Sequence, residues 1–260
     1  MARHIDNARQ IDNGQHIEEA RPFTALETLR SLAVWGSELP FLAACLGGFL
    51  LLDRTVMRGE RFDELGKWVC RRVTDLAGIR IERHGLEQLD EAQSYIFCIN
   101  HVSFLDLFVV FQSIPFFHRS FQDESHFKIP VYGGLIRVFG QVPVRRGDKD
   151  FNRRAFARAT EMLHGGDSFV VFPEGHRTRD GKLGAFFSGG FRLAIEAGVP
   201  VVPMALRGLR DVNPAGEWRI RGGRVDVIFG APIAPRAEHT PESMAAETRD
   251  ALERLLREGC

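Results

Sequence analysis

The chain has 260 residues, 44% of them hydrophobic, enough to bury a sizeable core and close to the upper limit for one domain. Its 34 Lys and Arg residues balance 34 Asp and Glu, which excludes a global field drawing it to nucleic acid, so any anion recognition has to be local. The four cysteines, Cys45, Cys70, Cys98 and Cys260, are scattered and form no C-x-x-C pair, which argues against a disulfide framework or a structural zinc and favours a reducing, cytoplasmic setting.

Residues 1–21 are polar, mixed in charge and lack the apolar centre of a signal peptide. The polar tail is assigned residues 1–30, and 31–77 form an N-terminal helical, membrane-associating region. Within it, "LPFLAACLGGFLLL" (39–52) is uninterruptedly apolar but short, and Glu38 and Pro40 stand at its start. A spanning helix needs about 20 apolar residues. Three readings compete: a buried core helix, a helix dipping into one leaflet, and an imperfect span. Arginines on both sides (Arg21, Arg30, Arg54, Arg58, Arg61) favour insertion from the cytoplasmic face, mainly as a monotopic dip. Residues 60–77 place Phe62, Leu65, Trp68, Val69, Val73 and Leu76 at spacings of three and four, an amphipathic helix ending near Gly78.

From residue 78 the pattern becomes that of an α/β domain with a mostly parallel sheet flanked by helices, running to residue 260. Short apolar strands ("GIRIER", "SYIFCI", "QVPVR", "SFVVF", "VPVVPMAL") alternate with helical segments at 151–166 and 188–198. Residues 217–230 read as a hairpin turning at Gly222 and Gly223, and 241–259 as a closing helix.

Ligands of such sheets gather at the carboxyl ends of the strands, and three loops there carry functional groups. In "NHVSFLD" (100–106), a general base at His101 needs a carboxylate to orient its ring. On one regular helix, positions 101 and 106 would lie about 140° apart, so His101 must sit in the strand-to-helix turn with Asp106 pointing back from the first helical turn. Ser103-x-x-Asp106 also fits a helix capping box, and the two readings place the helix start together. In "FPEGHRTRDG" (172–181), Glu174, Arg177 and Arg179 crowd a Pro/Gly turn suited either to anion recognition or to local ion pairing in a solvated loop. In "GQVPVRRGD" (140–148), Arg145 and Arg146 are adjacent, so only one faces a given site. Cys98, in an apolar strand, reads as core. The chain has no G-x-S-x-G elbow, P-loop, G-x-G-x-x-G or H-E-x-x-H.

Taken in order, "NHVSFLD", "GQVPVRR", "FPEGHRTRDG" and "VPVVPMAL" resemble the glycerolipid acyltransferase family, which includes 1-acyl-glycerol-3-phosphate (lysophosphatidic acid) acyltransferases, loosely over residues 79–230. The resemblance implies transfer of a fatty acyl group from acyl-CoA or acyl-carrier protein to a lysolipid hydroxyl at a membrane surface. It makes His101 the base and Asp106 its orienter, without an acyl-enzyme, metal or other cofactor. Arg146 and Arg177 would hold the acceptor phosphate, Glu174 and Gly175 would shape that pocket, and "VPVVP" would line the acyl site as a buried strand. Three positions depart from the pattern: His176 replaces the usual threonine, Arg145 the usual aspartate, and Ser188 stands where a lysine is common. All surround the acceptor, so its identity stays open between 1-acyl-glycerol-3-phosphate and another lysophospholipid or lyso-aminolipid. An acyl-thioester hydrolase using the same pair is the rival from another class.

Overall fold

A computed structural model describes residues 21–53 and 60–258. The tail residues 1–20, together with Arg54, Arg58 and Cys260, lie outside the described residues. Helix α1 (Ala25–Asp53) leads into α2 (Glu60–Leu76), then β1 (Ile79–His84), β2 (Ile96–Ile99), α3 (Asp106–Ser113) and β3 (His118–Asp123). The chain continues through α4 (Tyr132–Val138), β4 (Val142–Val144), α5 (Lys149–His164), β5 (Ser168–Val171), α6 (Gly189–Ala197) and β6 (Val201–Arg207), and ends with α7 (Leu209–Val212), β7 (Gly223–Phe229) and α8 (Pro241–Glu258). One seven-stranded sheet has the order β1-β7-β6-β2-β5-β3-β4. All neighbours run parallel except β6 and β7.

The central strands are apolar throughout because helices cover both faces. Phe97 and Ile99 of β2 join Val202, Met204 and Phe229 in the cluster beneath α1, α2 and α3. Ile96 and Cys98 point the other way, into the cluster with Phe169, Leu193 and Met244 beneath α5, α6 and α8. Four of the five apolar runs become central or edge strands much as their pattern predicts, and "QVPVR" shortens to β4. Strand β3 was not foreseen. Its sequence, "HRSFQD", is polar, yet it lies between β5 and β4, where buried His118 and Ser120 face inward.

Helix α1 begins six residues inside the segment assigned to the polar tail and runs straight through Pro40, at the cost of the one hydrogen bond proline cannot donate. Thr24 and Glu27 start it: Thr24 Oγ1 accepts from the Glu27 amide, and Glu27 Oε2 accepts from the Thr24 amide at 2.8 Å, a reciprocal capping box. Ser31, Val34, Glu38, Leu42 and Phe49 form its buried stripe, while Leu26, Leu29, Leu32 and Leu39 are exposed. By length and composition, Ala25–Phe49 could cross a membrane.

The expected hairpin at 217–230 is not formed. Strand β7 pairs with β1 and β6, and the backbone of 218–221 is taken by α1 instead. Trp35 Nε1 donates to the Trp218 carbonyl at 2.7 Å, the Ile220 amide donates to Ser31 Oγ at 2.8 Å, and Arg30 Nη1 donates to the Arg221 carbonyl at 2.9 Å. With its polar groups taken by α1 and by Val212, Asn213 and Glu217, this segment has none left for a strand partner.

Candidate active site

Strands β2, β5 and β6 are parallel neighbours, so the loops that follow them open at one end of the sheet. Cys98 pairs with Val171 in register, which carries His101 opposite Glu174 three residues further on. Asn100 closes β2: its side chain donates to the Leu206 carbonyl at 3.1 Å and accepts from the Leu206 amide at 2.8 Å, imitating one more rung of the ladder with β6. Beyond that rung the chain leaves the sheet, and His101 sits in the turn.

His101 is held at every polar backbone atom. Its amide donates to Glu174 Oε1 at 3.1 Å and its carbonyl accepts from the Thr178 amide at 2.8 Å. The ring stacks on Phe172, centroids 4.2 Å apart. Nδ1 lies 2.5 Å from Asp106 Oδ2, and the imidazole is 24% exposed. An Nδ1–H donated to the carboxylate leaves the Nε2 lone pair free as a base.

Asp106 opens α3, buried, its charge at the helix N-terminus where the dipole favours it. Oδ2 also accepts from the amides of Val102 at 2.9 Å and Ser103 at 3.1 Å, while Oδ1 is buried without a hydrogen-bond partner among the described residues. The capping box is therefore half realised. The acid reaches back to Ser103 as a box requires, but Ser103 Oγ accepts from Leu105 at 3.0 Å rather than from the third helical residue, and donates to Asn213 Oδ1 at 2.8 Å. The His101–Asp106 pair and the cap are one structure.

Glu174 is buried, and both its oxygens are used by backbone: Oε1 by His101 and Oε2 by the Gly184 amide at 2.8 Å. Gly175 has φ 68, and a Cβ there would meet the Phe187 ring at 2.8 Å, so the turn needs glycine on both counts. Arg177 is exposed and lines an open cleft of about 500 Å³ with His176, Arg179, Lys182 and Asp180. Of the paired arginines, Arg145 is committed to Glu124 and Asp148, at 2.8 and 2.9 Å, and lies over Phe151. Arg146 is exposed, and its charge helps hold the Asp123 carboxyl below its ordinary range, after the hydrogen bonds from Ser125. It leaves β4, three strands from β2, a separation of about 14 Å at strand spacing. The structure thus gathers His101, Asp106, Glu174, Gly175 and Arg177 around adjacent strands and leaves Arg146 on the far flank.

Cys98 is fully buried below the site, its thiol pushed well up by desolvation and by Glu174, unlike an activated nucleophile. The one metal-like grouping among the described residues, Glu82, His84 and Asp226, lies on β1 and β7, where Arg224 already bridges the two carboxylates at 2.9 Å each. Asn100, Phe172, Thr178 and Asn213 were missed. Asn100 is the first letter of the "NH" motif, whereas the others reveal their parts only through contacts distant in sequence.

A family model described as Acyltransferase matches residues 80–207. A chloroplastic 1-acyl-sn-glycerol-3-phosphate acyltransferase of Brassica napus is 36% identical over 151 residues, 57% of this chain and 44% of that one. The 1-acyl-sn-glycerol-3-phosphate acyltransferase of Pseudomonas aeruginosa is 28% identical over 209 residues, 80% of this chain and 78% of that one. The chain spans about half the length, or less, of the relatives it matches from Brassica napus, Arabidopsis thaliana and Chlamydomonas reinhardtii. Among solved structures, the 1-acyl-sn-glycerophosphate acyltransferase PlsC of Thermotoga maritima superposes with a TM-score of 0.76 at 24% identity, covering 90% of this chain and 97% of the other, which bears on the fold.

Proposed function

We propose that this chain, whose residues 80–207 match the family model described as Acyltransferase, moves a fatty acyl group from an acyl thioester to the hydroxyl of a lysolipid, 1-acyl-glycerol-3-phosphate first among them. The observation that carries the proposal is the His101 Nδ1 to Asp106 Oδ2 contact of 2.5 Å within the matched segment. His101 Nε2 takes the hydroxyl proton as the oxygen attacks the thioester carbonyl, and Asp106 steadies the imidazolium. The tetrahedral intermediate collapses with loss of the thiolate, which recovers that proton. The ester C–O bond forms, the C–S bond breaks, and no redox partner or metal enters the balance.

Arg177 in its cleft, with Arg146 reaching from β4, holds the acceptor's phosphate, and the donor is acyl-CoA or acyl-carrier protein. Glu174 serves by fixing the backbone of His101, since its oxygens are occupied by amides. The protein works on the cytoplasmic face of a membrane. A monotopic arrangement fits α1 better than a span, because the helix is docked on the α/β domain from Ser31 to Phe49, and a helix so covered on one side is not free to be ringed by hydrocarbon. The test is a panel of lysolipids with one labelled acyl thioester. Transfer that disappears in His101→Ala is the expected result, whereas wild-type release of free fatty acid without transfer to any acceptor would identify a hydrolase.

A further inference from the structure

Helix α1 does more than lie near the site, because it touches the catalytic turn. Trp35 packs on Phe104 with ring centroids 5.9 Å apart and planes at 53°. Phe104 stands between His101 and Asp106 in the turn that joins them, and 44% of it is exposed, a large cost for a phenylalanine whose neighbours Ser103 and Leu105 are fully buried. It continues inward to Phe108 of α3, 6.2 Å between centroids. On the helix side, Trp35 lies in an i, i+3, i+7 row with Leu32 and Leu39, which are 56% and 57% exposed. The Trp35 indole N–H is spent on the Trp218 carbonyl, which fixes the ring while its apolar edge remains beside Phe104. Exposed apolar side chains on the flank of α1, Leu32 and Leu39, are thus joined through Trp35 to Phe104 in the turn that presents His101.

The geometry points to this surface as the subsite for the acyl tail of the acceptor lysolipid, a reading that rests on the proposed function. A lysolipid has a charged end and a single hydrocarbon chain separated by the reacting hydroxyl. The exposed cations, Arg177 among them, are carried by the loop after β5, while the apolar track leaves the His101 turn toward α1. The two ends of the acceptor thus match surfaces on the two segments joined at His101, the turn that holds Phe104 and the loop after β5 that bonds to the His101 backbone. The track is open along its length, as a substrate drawn sideways from a lipid surface requires, and it is carried by the same helix that presents Leu26 and Leu29 outward. α1 is then part of the substrate site, and Phe104 and Leu32 set how strongly tail length contributes to acceptor binding.

The experiment measures KM for hexanoyl- and oleoyl-glycerol-3-phosphate with one acyl donor in wild type, Phe104→Ser and Leu32→Ser, with Phe104→Leu as the conservative variant. The expected result is a rise of roughly tenfold in the oleoyl-to-hexanoyl KM ratio for Phe104→Ser, the scale of losing one buried aromatic contact, with partial recovery in Phe104→Leu. Leu32→Ser, which lies off the catalytic turn, moves the ratio the same way, and vesicle flotation of the variants matches wild type. An unchanged ratio in both serine variants, or an effect that follows the length of the donor chain instead, overturns this inference alone. Failure of the wild type to acylate either acceptor overturns it together with the function on which it rests.

Discussion

One oxygen of Asp106 carries the site. Oδ2 serves the His101 ring and two backbone amides at once, so it sets both the imidazole orientation and the shape of the turn. Asp106→Asn presents either an amide group that cannot accept or a carbonyl that carries no charge, and it should lower kcat on the order of a thousandfold. Steady-state kinetics, with circular dichroism to confirm that α3 survives, check this. Glu174 makes a different prediction. Glu174→Gln keeps one acceptor and turns a donor toward a backbone N–H, so the His101 amide or the Gly184 amide loses its partner. We expect kcat to fall about tenfold to a hundredfold with acceptor KM nearly unchanged, consistent with a positioning role. A KM increase with kcat preserved would return Glu174 to the substrate pocket. His118 is a buried neutral residue, its pKa pushed down to about 4 by desolvation. Between that value and its ordinary one, the unfolded chain binds a proton that the folded chain refuses, so stability contributed here is present above about pH 6.5 and lost as pH falls toward 4. Denaturant melts of wild type and His118→Phe across pH 4 to 7 should differ in slope by an amount approaching ~3 kcal/mol over the window, a comparison in which the other titrating groups cancel.

Elements differ in how far their own residues declare them. The pair His101 and Asp106 was legible because its geometry is local: a strand, a turn and a helix start within seven residues leave few ways to be built. The central strands were legible because a strand covered on both faces is apolar at every position. β3 was not, because its place between β5 and β4 is given by pairing, and its inward Ser120 is satisfied by a distant group, with amide and hydroxyl both meeting Gln141 Oε1. The hairpin expected at 217–230 is not formed for a related reason, since residues 218–221 bond to α1, nearly 200 residues earlier, as well as to Val212, Asn213 and Glu217. Arg145 and Arg146 look equivalent in sequence and are told apart by Glu124 and Asp148, which engage the first. The start of α1 at Ala25 is written in Thr24 and Glu27, a capping signature that a search for apolar runs passes over.

At the scale of the molecule, α1 has two faces with separate duties. The stripe from Ser31 to Phe49 closes the core, so removing residues 1–53 should expose Ile220 and Phe139 and give an aggregating protein rather than a soluble one. Leu26→Glu with Leu29→Glu alters the outward face and leaves the docked stripe intact. That pair should keep the melting temperature within a few degrees of wild type while abolishing co-flotation with anionic vesicles. Retained flotation would move the membrane contact elsewhere, to the exposed Trp68, Leu76 or Trp218.

The bond between Ser31 and Ile220 closes a loop of 189 residues, and synthesis reaches its two ends at different times. At roughly 5–20 residues per second, α1 waits on the order of ten seconds or more for the backbone that will cover it. During that interval its C-terminal half can already pack on Trp68 and Phe139, while the end at Ser31 and the outward leucines Leu26 and Leu29 stay uncovered. Contact with a lipid surface in that interval would precede completion of the fold. Ribosome-bound chains arrested at residue 200 should already float with vesicles while remaining protease-sensitive; arrested chains that stay in the soluble fraction would reverse that order.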